Sequence, residues 1–199
     1  MIIDDNSPDK TYLVIEKFMK KFNNIFLIKR KNKQGLDTAH KYIYNFALKK
    51  NYDYLITMDA DLSHDPNTIP KFLNQIKNYD FVIGSRYMKG GRNDLRGFRL
   101  LLSKFGNRFI RFILNMNLTE FTTSYRCFNL RTLKKINLKN INAGGYSFFM
   151  ETLCHIKKLG YSIKEIPIIF YERKHGKSKI PKIELFRALI NIFLIRFKF

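Results

Sequence analysis

At 199 residues and 45% hydrophobic composition, the chain can bury a sizeable core in one compact domain and is too apolar for a disordered segment. The 37 Lys and Arg against 16 Asp and Glu give a net charge of +21, which favours polyanions: nucleic acid, anionic lipid headgroups or phosphorylated substrates. No run of ~18 uncharged apolar residues is present, which argues against a spanning helix.

In chain order, Met1 to Asp4 reads as a short strand leading through Asn6-Ser7-Pro8-Asp9 into a helix that ends near Phe22. Ile25 to Lys29 is the next strand, followed by a helix from about Leu36 to Lys50. Tyr54 to Met58 is a buried strand, Asn67 to Lys77 a helix, and Phe81 to Ser85 another apolar strand. This alternation predicts a parallel sheet with helices on both faces. No repeat or Pro/Gly-rich linker interrupts it, so residues 1–199 are expected to form one domain. Only Cys127 and Cys154 occur, in no metal-ligand spacing, which favours a reducing cytoplasm; the start shows no signal peptide.

Directly after the third strand comes Asp59-Ala60-Asp61-Leu62-Ser63-His64-Asp65-Pro66. Two carboxylates two residues apart share a side and project beyond the sheet edge where open α/β sheets bind ligands. Hard oxygen ligands there suit Mg²⁺ or Mn²⁺ bridging to a diphosphate, which needs only one or two protein carboxylates. Asp65, ahead of Pro66, reads as a helix N-cap, but capping does not explain Asp59 and Asp61.

The second half adds two amphipathic stretches. Phe98, Leu102, Phe105, Phe109, Phe112 and Met116 recur at spacings of four and three, with Lys104, Arg108 and Arg111 on the other side. A C-terminal helix over about 181–199 carries Ile183, Phe186, Ile190, Phe193 and Phe197 among Arg187, Arg196 and Lys198. Such helices either lie in a membrane interface or pack on the core. Among the basic residues, Arg86 follows a strand at the same edge as the acidic loop. Arg99 and Ser103 are helix neighbours suited to a phosphate monoester, and Arg173 and Lys179 bracket a basic loop suited to a diphosphate.

The set Asp4-Asp5-Asn6-Ser7-Pro8-Asp9, Asp59-Ala60-Asp61-Leu62-Ser63-His64, Gly84-Ser85-Arg86-Tyr87 with Gly90-Gly91, Arg99 with Ser103, Thr123-Ser124-Tyr125-Arg126, and Arg173-x-x-Gly176-x-Ser178-Lys179 resembles the polyprenyl-phosphate (dolichol-phosphate) mannosyltransferases of glycosyltransferase family 2. The resemblance implies an α/β, GT-A-type, Rossmann-like three-layer sandwich with a mostly parallel central sheet. It implies inverting transfer from GDP-mannose to a polyprenyl monophosphate by a peripheral enzyme on the cytoplasmic face of a membrane. A partner subunit carrying a membrane anchor is compatible with it. By the family pattern, Ile3 and Asp5 contact the nucleoside, and Asp59 and Ala60 line the donor site. Asp61, helped by Ser63, holds the metal. Arg86, Arg173 and Lys179 bind phosphates, and Arg99 with Ser103 takes the acceptor phosphate. Glu151 matches a family position near the site. Family members begin with one more strand, so the first strand of the sheet is expected to be missing here. Two rivals remain: a polyprenyl-phosphate glucosyltransferase or other family 2 enzyme using a UDP-sugar, and an inactive fragment binding anionic membrane or nucleic acid. No nucleic-acid recognition motif is present.

Overall fold

Strands form where short apolar runs lie between polar residues, and helices form where apolar residues recur on one face. The computed structural model describes residues 1–136, 141–172 and 182–199. Strands β1 (Ile2–Asp4) and β2 (Leu27–Lys29) run parallel, joined by helix α1 (Thr11–Met19), and make a two-stranded sheet of their own. Helix α2 (Leu36–Lys49) then leads into the main sheet.

That sheet has the order β3 (Tyr54–Thr57), β6 (Arg126–Asn129), β4 (Phe81–Ser85), β7 (Ile163–Pro167). Strands β3, β4 and β7 point one way, while β6 runs against both of its neighbours, so the sheet is mixed. A third, two-stranded sheet pairs β5 (Arg92–Asn93) with β8 (Ile169–Phe170). Between β7 and β8 the chain breaks at Ile168, which packs on the β4 backbone. A Cβ at Gly84 would lie 2.7 Å from the Ile168 side chain, so that approach requires glycine.

Helices cover both faces. Successive residues of a strand point to opposite sides, and the core divides accordingly. Phe81, Ile83 and Phe128 enter a cluster with Tyr44, Phe148 and Phe149 from α2 and α6 (Ser147–Lys158). Val82 and Cys127 enter a second cluster with Phe72 and Ile76, from α3 (Ile69–Gln75) and its C-cap. Rings of Phe81 and Tyr44 each meet Phe128 edge-on at 4.7 Å. Burying each such ring contributes about 1.5–3 kcal/mol. Both cysteines are free and buried, and burial pushes each thiol up to about 12.

Helix α4 (Gly97–Leu114) turns Asn107, Ile110 and Leu114 inward. The aromatic stripe points the other way: Phe98, Phe105 and Phe112 are 77%, 67% and 80% exposed. Met116 departs from the stripe because Asn115, in a left-handed conformation, ends the helix and Met116 folds into the core. After the short helix α5 (Leu130–Lys135) and α6, the C-terminal helix α7 (Lys182–Lys198) packs on α4 and α6 through buried Ile192 and Ile195. Among the described residues no helix is long and apolar enough to cross a membrane.

Candidate active site

The acidic loop begins where β3 ends. Thr57 Oγ1 donates to the Ser124 carbonyl at 2.6 Å, which fixes the strand end against the chain leading into β6. Leu62 then adopts φ 67°, a conformation leucine rarely takes, so the loop's shape depends on its hydrogen bonds. Asp61 Oδ1 accepts from the Ser63 backbone N–H at 3.1 Å and from the Ser63 hydroxyl. Ser63 is fully buried, so its hydroxyl acts by orienting Asp61. Asp59 Oδ1 accepts from Ser124 Oγ at 2.6 Å. Both carboxylates remain partly exposed, and Ala60 between them is exposed. Asp65 caps the 3-10 turn Pro66–Thr68 by accepting from Asn67 N–H at 2.9 Å, as the sequence implies.

His64 anchors the loop from beneath. The Asp59 backbone N–H donates to His64 Nδ1 at 3.0 Å, so the neutral ring carries its proton on Nε2, 3.4 Å from Thr123 Oγ1. Burial holds the His64 pKa below its ordinary value; Asp59 opposes that shift and the Arg86 charge adds to it. The loop is also pinned by β8: His64 bridges to Phe170, and Tyr171 N–H donates to the Ser63 carbonyl at 3.0 Å. The Phe170 ring lies 5.4 Å from the His64 ring and 5.1 Å from the Arg86 guanidinium carbon. Arg86 and the acidic loop thus meet at one sheet edge.

Arg86 is held by a residue to which the sequence reading gave no role. Its Nε and Nη2 donate to the two oxygens of Glu120 at 2.6 and 2.8 Å, and Nη2 also reaches Thr122 Oγ1 at 2.9 Å. Glu120 is fully buried. Burial alone would raise its pKa, but the Arg86 charge and hydrogen bonds outweigh burial and hold it below the usual value. The available signal was a lone acid within Leu118–Phe121, since a buried carboxylate requires a cation. Arg126, likewise buried, donates to the carbonyls of Thr123, Phe149 and Phe121 at 2.8, 3.0 and 2.8 Å. It thereby fixes the loop that presents Ser124, and burial lowers its pKa to about 10.

The remaining candidates fall into three places. Ser103 on α4 accepts from the Tyr87 hydroxyl at 2.5 Å, and Asn93 Nδ2 donates to the same hydroxyl at 2.9 Å. Since Tyr87 follows Arg86, Ser103 is tied to the end of β4; Arg99, four residues earlier on α4, is exposed. Ile3 and Asp5 lie at the separate β1–β2 sheet, where Asp5 pairs with Arg30 and Arg30 Nη1 donates to Thr38 Oγ1 at 2.7 Å. A cleft of about 300 Å³ opens beside them, lined by Asp4, Asn6, Lys29, Arg30 and Lys31. Arg173 and Lys179, with the basic loop between them, lie outside the described residues. Glu151 is buried on α6 and faces α7: it accepts from Lys198 Nζ at 2.5 Å and from Ala143 N–H at 2.8 Å.

Among the described residues no three His, Cys, Asp or Glu side chains are grouped to hold a metal by themselves. Asp59 and Asp61 supply two carboxylates at an open loop, a set that suits a cation completing its shell with ligand oxygens and water.

Known proteins are similar to this chain over nearly its whole length. The chain is 34% identical to the undecaprenyl-phosphate mannosyltransferase of Micrococcus luteus, over 96% of its own length and 79% of that protein's. It is 32% identical to the polyprenol monophosphomannose synthase of Mycolicibacterium smegmatis, over 96% and 74%. In structure it resembles the glucosyl-3-phosphoglycerate synthase of Mycobacterium tuberculosis solved with UDP, at TM-score 0.66 and 14% identity, over 98% of this chain and 67% of that one. The same enzyme solved with Mn²⁺ and UDP-glucose gives TM-score 0.65. These likenesses establish the GT-A fold. With the profile "Glycosyl transferase family 2" matching residues 1–137, the chain belongs to glycosyltransferase family 2.

Proposed function

We propose that the enzyme transfers mannose from GDP-mannose to a polyprenyl monophosphate with inversion, giving polyprenyl-phosphate-mannose. The observation that carries this reading is the Asp59–Asp61 loop, pinned at the carboxyl end of β3 beside Arg86. It joins the similarity to two proteins named for polyprenyl-phosphate and polyprenol mannosyl transfer. The work of such an enzyme lies at a membrane surface, on the side that supplies the nucleotide sugar, here taken as the cytoplasmic face.

In this reading Ile3 and Asp5, with the neighbouring cleft, receive the nucleoside. Asp59 and Ala60 line the donor site. Asp61, oriented by Ser63, holds Mg²⁺ or Mn²⁺ when it is bound, and that cation neutralises diphosphate charge. Arg99 and Ser103 take the acceptor phosphate, and Arg173 and Lys179 the donor diphosphate. Arg86 supplies positive potential that Glu120 partly offsets. An acceptor phosphate oxygen forms the bond to the sugar's anomeric carbon as the bond to the diphosphate breaks, and GDP leaves with the electron pair. A phosphate monoester, with a second pKa of ~6, is already largely ionised near neutral pH, so no strong general base is required. The protein's task is to hold two anions together in line.

The test is transfer of radiolabelled mannose from GDP-mannose to a short polyprenyl phosphate, with and without Mg²⁺ or Mn²⁺. Labelled lipid formed only with a divalent cation, and protection of the enzyme by GDP rather than UDP, is expected. Preferential glucose transfer from UDP-glucose would replace mannose with the rival donor.

A further inference from the structure

We infer that Glu165, on β7, is a positioning residue that sets Arg86 from behind through a file of two hydroxyls, Thr119 and Ser85. Its carboxylate accepts from the Thr119 backbone N–H at 2.9 and 3.0 Å, from the Glu120 backbone N–H at 3.0 Å and from Thr119 Oγ1 at 2.8 Å. Thr119 Oγ1 lies 2.6 Å from Ser85 Oγ, at the end of β4. Ser85 Oγ in turn accepts from the backbone N–H groups of Tyr87 and Met88 at 3.1 and 3.2 Å. Strand pairing brings these groups within reach, because β7 runs parallel to β4 with Ile83 opposite Glu165 and Ser85 opposite Pro167.

The count of partners fixes where each hydroxyl proton points. A serine hydroxyl has one proton and two lone pairs. The two backbone N–H groups take both lone pairs of Ser85, so its proton goes to Thr119 Oγ1. Thr119 then sends its own proton to Glu165. Ser85 is fully buried, so reversing the file would leave a donor there without a partner.

Arg86 and Glu120 therefore hang from one carboxylate. Arg86 sits between Ser85 and Tyr87 in the turn that Ser85 closes, and Glu120 follows Thr119 in the loop that Glu165 holds. The Arg86–Glu120 pair is thus fixed from both sides, and the same turn carries Tyr87 to Ser103. A break in the file would move Arg86 and the Ser103 partner together. That such a shift weakens the acceptor phosphate rests on the proposed function; the setting of Arg86 does not.

Thr119→Val keeps the side-chain shape and removes the hydroxyl link, whereas Thr119→Ser keeps the link. NMR of the full chain carrying isotope-labelled arginine reads the Arg86 Nε–H directly. Its exchange with water should match the wild type in Thr119→Ser and be at least about fivefold faster in Thr119→Val. In transfer assays Thr119→Val should raise KM for a short polyprenyl phosphate by about the same factor, with KM for GDP-mannose unchanged. Glu165→Gln should give the same split, because an amide NH₂ set against the Thr119 donors breaks the file. Ser85→Ala/Thr119→Val should be no worse than the poorer single variant, since both cut one file. Additive losses in that double variant would overturn the inference. So would wild-type Arg86 exchange in Thr119→Val beside an unchanged acceptor KM. A wild type that transfers no sugar while Arg86 exchange follows the expected pattern would sink the proposed function and leave the role of Glu165 standing.

Discussion

Ser124 donates its hydroxyl proton to Asp59 at 2.6 Å across 65 residues of sequence. Its loop is fixed in turn by the buried Arg126, so the acidic loop inherits the rigidity of the sheet centre. A carboxylate held this way is set before any ligand arrives, which lowers the ordering cost of binding.

Asp61 combines a proposed chemical task with a structural one, and two substitutions separate them. Asp61→Asn keeps an oxygen for the Ser63 donors and removes the charge. Transfer should fall by about a hundredfold or more while the melting temperature stays near the wild type. Asp61→Ala should add a stability loss of about 1–3 kcal/mol, because the buried Ser63 hydroxyl loses its acceptor. Transfer assays beside urea denaturation measure both, and full activity in Asp61→Asn would remove the residue from the mechanism.

Glu120→Gln should destabilise the fold by about 3–5 kcal/mol, since it leaves Arg86 as a buried cation without its counter-charge. The pH dependence has a definite sign. The folded pKa of Glu120 is depressed below the ordinary 4.5, so its contribution is complete above that value and disappears as pH falls through the lower folded value. Denaturant midpoints of wild type and Glu120→Gln should therefore converge in acid and differ at neutral pH.

Tyr87 links the end of β4 to α4, and its loss should show as an acceptor effect. Tyr87→Phe removes the hydroxyl that meets Ser103 and Asn93, at a cost of about 1 kcal/mol. KM for polyprenyl phosphate should rise while KM for the donor holds. Arg99→Ala should show the same split more strongly, having exposed surface around it and no packing role to confuse the result. A rise in donor KM alone would contradict both.

How far the sequence revealed this molecule depended on local pattern. Tyr54–Thr57 and Phe81–Ser85 announce themselves as apolar runs, and Pro66 after Asp65 announces a cap. Strand β6 does not: Arg126-Cys127-Phe128-Asn129 shows no alternation, and its arginine is buried by backbone carbonyls that no sequence pattern displays. The convergence of Arg86 with the acidic loop was legible because both follow strands at one edge. Glu120 as partner of Arg86 was not, since 34 residues separate them. Periodicity identified the aromatic stripe of α4 but left open which way it faced. That direction depends on what the opposite side packs against.

Glu151 holds α7 to the domain through Lys198, and His155 stands 3.7 Å from the same carboxylate. Burial would raise the Glu151 pKa, but the adjacent His155 ring and the bonds from Lys198 and the Ala143 backbone pull it down to about 2. Glu151→Ala should loosen α7, read as faster amide exchange over residues 186–198 with little change in β4. Equal exchange in the variant would show that Ile192 and Ile195 hold the helix unaided.

The β1–α1–β2 unit is held chiefly by its own strand pair and by α1, on which Ile15 alone is buried, with Phe26 and Arg30 reaching α2 at Phe46 and Thr38. The four-stranded sheet instead spans positions 54 to 167. Local contacts of this kind open at lower free energy than a shared core. The region proposed to cradle the nucleoside is therefore expected to open more readily than the four-stranded sheet, and a nucleotide seated there would spend part of its affinity on stilling that fluctuation. Tight donor recognition and a quiet amino-terminal third are then one thermodynamic event.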